Sequence, residues 1–211
     1  MKMKRLLPQL LLGFTIVIRA EGQTNTAPSS DVSKINVETL VCIRHCEKPP
    51  GGLGQLSCRG LNRALALPNV LLPRYGKPQF VFAPNPAQKV DSTNGYYYVR
   101  PLAAIEPTAI RCGLPVNTEY GFREIEGLEQ ELGKPAYRNA TVFVAWEHGL
   151  LEEFARQVIK HHGGDPAQVP YWPDSEYDII YVFKITNDAG KESFSFTIEH
   201  EGLNGLSDKC P

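Results

Sequence analysis

Two stretches constrain this chain more than anything else in it: "ETLVCIRH", residues 38–45, and "ATVFVAWEH", residues 140–148. Each is a nearly continuous apolar run with β-branched members that stops at a histidine. A strand written without polar alternation has both faces covered, which is the pattern of a buried strand in an α/β protein. The chain between and after these runs must therefore supply helices with an apolar stripe.

It does. In "SCRGLNRALALPNVLL" the residues Leu61, Ala64, Leu65, Val70 and Leu71 recur at helical spacing from Ser57 onward, with Pro68 expected to interrupt them. "QFVFA" reads as a short strand. "PNPAQKVDSTNGYYYV", residues 84–99, reads as a long loop, and loops of that length tend to carry function. "RPLAAIEPTAIRCG" has Pro101 at a first helical turn and Gly113 as a stop. "LPVNT" suggests a brief strand, "IEGLEQEL" a short helix, and "LLEEFARQVIKHHGG" an amphipathic helix closed by glycines. "YDIIYVFKI" and "SFSFTIEH" form two strands around the turn "NDAG". The expected fold is α/β, a three-layer sandwich with a largely parallel central sheet flanked by helices.

The chain has 211 residues, of which 42% are hydrophobic, enough to bury one sizeable core. Its formal net charge of −1 implies neither a nucleic-acid partner nor an anionic membrane. Lys2, Lys4 and Arg5, followed by an apolar run from Leu6 to Ile18 and then Ala20, read as a secretory signal peptide over residues 1–20. That run is too short to span a bilayer, so no stable membrane insertion is expected after cleavage, and the product is expected to be secreted or periplasmic. Residues 21–35 are expected to form a flexible lead-in and residues 36–211 the folded domain. Composition carries no information on oligomeric state.

Open α/β sheets bind ligands beyond the carboxyl ends of their strands. His45 and His148 both sit at such ends, one of them preceded by Arg44. An imidazole can act as nucleophile or proton carrier, and a guanidinium offers the fork of donors that a phosphate needs. Arg100, at a helix entrance, can add a second fork. His161 and His162 close a helix, where they favour its dipole, and fall outside this group.

"IRHCEKP", "GQLSCRGLNRALAL", "VRPLAAIEPTAIRCGLPV" and "VFVAWEHG" occur in an order that resembles the histidine phosphatase superfamily, the phosphoglycerate mutase-like proteins with an Arg-His-Gly signature. The resemblance implies a phosphoric monoester hydrolase acting on a small phosphorylated substrate through a phosphohistidine on His45. It further implies phosphate binding by Arg44 and Arg100, a second pocket histidine at His148, and no metal or other cofactor. The general acid is open among Glu147, Glu124 and Glu119, with Glu147 first because it adjoins His148. Cys46 stands where the family has glycine, so a crowded and impaired site that only binds an anion is the alternative. Of Cys42, Cys46, Cys58, Cys112 and Cys210, an odd number, at least one stays unpaired within the chain. A Cys46–Cys58 bridge is conceivable, but an unbridged Cys46 is expected.

Overall fold

The computed structural model describes residues 35–90 and 95–211. The expected signal peptide and almost all of the lead-in lie outside the described residues.

The elements are β1 (Asn36–Arg44), α1 (Cys58–Tyr75), β2 (Phe80–Phe82), α2 (Arg100–Cys112), α3 (Ile125–Leu132), β3 (Thr141–Trp146), α4 (His148–His161), β4 (Ile179–Asp188) and β5 (Lys191–His200). They build an α/β fold around one sheet of strand order β2-β3-β1-β4-β5. The two apolar runs become the neighbouring strands β1 and β3. Successive β1 residues face opposite sides: Leu40 and Cys42 join a core with Phe154 of α4 and Leu128 of α3, whereas Val41 and Ile43 join one with Leu67 of α1 and Ile105 of α2. Coverage of both faces explains why polar residues are missing from these runs.

The sheet is mixed rather than largely parallel. β2, β3 and β1 run parallel, but β4 is antiparallel to β1 and β5 to β4. The reason lies at the end of β1. The Arg44 guanidinium holds the carbonyls of Pro173, Asp174 and Glu176 through Nη1, at 3.2, 2.9 and 2.7 Å. The segment before β4 therefore lies at the carboxyl end of β1, and β4, starting there, runs antiparallel to it. A short turn through Ala189 and Gly190 then makes β5 antiparallel in its turn.

Two local expectations are also corrected. Helix α1 does not stop at Pro68 but continues through it and Pro73, because Ala64, Leu67, Pro68 and Leu71 stay on one buried face, and burial outweighs the lost hydrogen bond. "LPVNT" forms no strand of its own. Asn117 makes a single bridge beside Phe82, its N–H donating to the Val81 carbonyl at 2.8 Å.

Candidate functional site

The register of the parallel pair β1 and β3 sets Arg44 opposite Trp146. His45 and Glu147 therefore leave the sheet side by side, and the His45 N–H donates to the Trp146 carbonyl at 3.0 Å. His148 follows as the first residue of α4. Arg100 opens α2, and its entry is fixed by Gly54, whose carbonyl accepts from the N–H groups of Val99 and Arg100, each at 3.1 Å. Gly54 has φ of +71°, and a Cβ there would lie 2.1 Å from the Tyr97 carbonyl oxygen, so only glycine fits.

His45 is 2% exposed. Its Nδ1 lies 2.8 Å from the Cys46 carbonyl, an acceptor only, so Nδ1 carries the proton and Nε2 keeps its lone pair. Burial pushes the His45 pKa down to about 3. The bond to Cys46 works against that shift, while the guanidiniums of Arg100 and Arg44 reinforce it. The imidazole is therefore neutral at physiological pH, as a nucleophile must be.

Around it stand buried donors without partners. Arg44 Nε, Arg100 Nε and the Tyr98 hydroxyl are all buried and have no well-formed hydrogen bond among the described residues. The rest of each guanidinium is anchored. Arg44 lies 4.1 Å over the Tyr177 ring, and Arg100 donates to the Gly52 carbonyl at 2.7 Å while lying 4.7 Å over the Tyr98 ring. Burial raises the pKa of the Tyr98 hydroxyl, partly offset by Arg100, so it remains a donor. On the outer side, one carboxylate oxygen of Asp174, a side chain 75% exposed, lies 3.3 Å from His148 Nε2, 3.5 Å from Arg44 Nη2 and 3.8 Å from Lys48 Nζ. One carboxylate oxygen thus faces three cationic or donor groups, a position whose electrostatics suit an anionic oxygen.

Glu147 caps α4, accepting from the Leu150 N–H at 2.9 Å, with its other oxygen 2.5 Å from His148 Nδ1. Burial raises its pKa, but the bonds from His148, Leu150 and Gly149 outweigh this and hold it at about 2. In the unliganded protein it is a carboxylate, not a proton donor. Glu119 and Glu124 are exposed, and Glu124 accepts from the Gly121 N–H at 2.7 Å within its own turn. Of the three acids, Glu147 acts electrostatically on His45.

The structure thus brings Arg44, His45, Arg100, Glu147 and His148 together, while Glu119 and Glu124 are exposed on the segment whose Phe122 packs on Tyr98. No family profile matches this chain, and no curated protein does. Among solved structures it is similar to a candidate phosphohistidine phosphatase SixA from Nakamurella multipartitia, with 15% identity, coverage of 78% of this chain and 96% of the other, and a TM-score of 0.49. A histidine-to-alanine mutant of phosphoserine phosphatase from Entamoeba histolytica, in complex with phosphoserine, gives 10%, 80%, 99% and 0.47 in the same order. A candidate SixA from Agrobacterium tumefaciens gives 12%, 76%, 97% and 0.45. Similarity this distant carries no argument about activity. The geometry must carry it.

Cys46 is fully buried in the apolar cluster of α1 and α2, it is unpaired, and it is not among the non-glycine residues with positive φ. Burial raises its thiol pKa well above the ordinary value, which removes it as a nucleophile. Its expected conflict with a glycine-like backbone is absent. Cys58 pairs instead with Cys210, at a Cα separation of 4.5 Å.

The sequence leaves open which of the loop tyrosines Tyr96, Tyr97 and Tyr98 line the site and which simply pack, and it gives no sign of the role of Arg63. Of the three consecutive tyrosines, Tyr98 alone is buried, because it sits next to the bridge between Lys89 and Tyr97 and donates its N–H to the Gln88 carbonyl. A loop has no period from which to read that choice. Arg63, also fully buried, binds both oxygens of Glu47 at 3.0–3.1 Å through Nε, Asp178 at 3.3 Å and Glu201 at 2.6 Å through Nη1. It ties the loop after His45 to the start of β4 and to the C-terminal segment.

Proposed function

We propose that this chain is an exported phosphatase that hydrolyses small phosphomonoesters through a phosphohistidine on His45. One observation carries the reading: buried guanidinium and hydroxyl donors without partners surround a neutral imidazole whose Nε2 holds a free lone pair. Orphaned donors of this kind cost free energy unless a ligand satisfies them, and a phosphoryl group has the acceptors to do so.

In the first step the His45 Nε2 lone pair attacks phosphorus, and the ester P–O bond breaks with its electron pair on the leaving oxygen. Arg44, Arg100 and Tyr98 stabilise the charge on the equatorial oxygens. A phosphoryl dianion beside Glu147 raises the pKa of that carboxylate, so Glu147 is protonated in the complex and passes the proton to the leaving oxygen. Water then attacks the phosphohistidine, giving a proton to the Glu147 carboxylate, the N–P bond breaks with its pair returning to Nε2, and inorganic phosphate departs. His148 is oriented by Glu147 and donates to the bound group. Asp174 must give up its position to the substrate. Export draws support from the amino-terminal residues and from the Cys58–Cys210 disulfide, which suits an oxidising compartment.

The test is His45→Ala. It should abolish turnover of p-nitrophenyl phosphate and the acid-labile phosphoenzyme trapped by rapid quench, while phosphate still stabilises the fold. Wild-type turnover by this variant would overturn the reading.

A further inference from the structure

A cavity of about 400 Å³ opens where α4 ends, beside the amino end of β1. It lies at the opposite end of β1 from His45. One wall is apolar, formed by Leu40, Leu132, Phe154 and Val158. The other wall carries acids, and two of them have partners of their own: Glu129 lies 2.8 Å from His161 Nδ1, and Glu192 lies 2.7 Å from His162 Nδ1.

Glu38 does not. Its side chain lines the same cavity on β1 and is only 8% exposed, yet no hydrogen bond or ion pair reaches its carboxyl among the described residues. Arg138 is near enough to act on it electrostatically but makes no ion pair with it. A largely buried side chain whose carboxyl opens into the cavity beside an apolar wall, with no cation in contact, can still take a counter-charge there. No three His, Cys, Asp or Glu side chains among the described residues are arranged to hold a metal ion, so the fit is to an organic cation.

We propose that this cavity binds a primary amine or guanidinium carried on a small apolar body, with Glu38 as its counter-ion and the Leu40–Phe154 wall as its apolar seat. The site is independent of the phosphatase reading and stands whether or not His45 is catalytic. Ionisation of Glu38 is required. Burial pushes its pKa up to about 7, with Arg138 opposing and Glu192 adding to the shift. Besides Arg138 and Glu192, the charged or titratable groups around it are Glu129 of α3 and His161 and His162 at the end of α4.

Benzylamine and its neutral isostere benzyl alcohol, titrated calorimetrically into the full chain, test this. Benzylamine should bind saturably, with affinity rising with pH through about 7, and benzyl alcohol about tenfold more weakly or not at all. Glu38→Gln should lose about tenfold in amine affinity while melting no lower than the parent, since it removes a buried charge. Arg138→Gln, which removes a competing cation, should tighten amine binding and serves as a second test should Glu38→Gln misfold. Equal binding of amine and alcohol, no saturable binding of either, amine affinity unchanged in Glu38→Gln, or amine affinity not improved in Arg138→Gln would each overturn the proposal.

Discussion

At the scale of single residues, the proposed phosphate pocket would work by leaving donors unsatisfied until an anion arrives. Tyr98 isolates that effect, because its ring packs against Phe122 at 4.9 Å while its hydroxyl, near Arg100, has no well-formed hydrogen bond among the described residues. Tyr98→Phe should therefore leave the melting temperature unchanged or raised, and weaken phosphate or vanadate inhibition by about 1 kcal/mol, roughly fivefold. Unchanged inhibition would mean that the hydroxyl faces no ligand. Cys46 makes the opposite case. The sequence suggests that Cys46→Gly relieves crowding beside His45, but the thiol fills part of the α1–α2 core. Cys46→Gly should instead cost about 1–3 kcal/mol in denaturant unfolding, from the cavity it leaves and the freedom glycine adds to the unfolded chain.

At the scale of elements, the site depends on how closely α1 approaches the loop after β1. Gly60 lies in the first turn of α1, and a Cβ there would stand 2.3 Å from the backbone oxygen of Glu47. Gly60→Ala should displace the loop that carries His45 and Cys46, lowering kcat by more than tenfold and destabilising the fold by about 1–3 kcal/mol. A wild-type kcat would show that the loop tolerates the shift. Elements of this kind were largely legible in the sequence. β1, β3, α3 and the β4–β5 hairpin follow from apolar runs and turn residues, and the register of two such runs is enough to bring His45 and His148 together. The direction of β4 was not legible, because the place where it starts, beside Arg44, is marked only by contacts at sequence separations of 129 to 132. Nor was the Arg63 cluster, since an arginine in the middle of an amphipathic helix reads like any solvated one until its carboxylate partners converge from distant segments.

At the scale of the whole molecule, that cluster makes stability depend on pH. Burial raises the Glu201 pKa to about 8, against the opposing pull of Arg63. The folded state therefore keeps a proton that the unfolded chain releases near its ordinary carboxyl pKa of 4.5, and this contribution to stability is lost as pH rises from there to about 8. Glu201→Gln cannot lose it. The melting temperature of that variant relative to the parent should climb by several degrees across the same window and be flat below it. A constant difference would show that Glu201 is ionised throughout. The segment that carries Glu201 is also bound covalently, since Cys58 and Cys210 join positions 152 residues apart. Everything between them is a closed loop of covalent bonds. One cut by a protease anywhere inside it releases no fragment: the two pieces migrate as one band until a reductant parts them. Until then the nicked domain stays one covalent molecule, with two new ends wherever the cut fell.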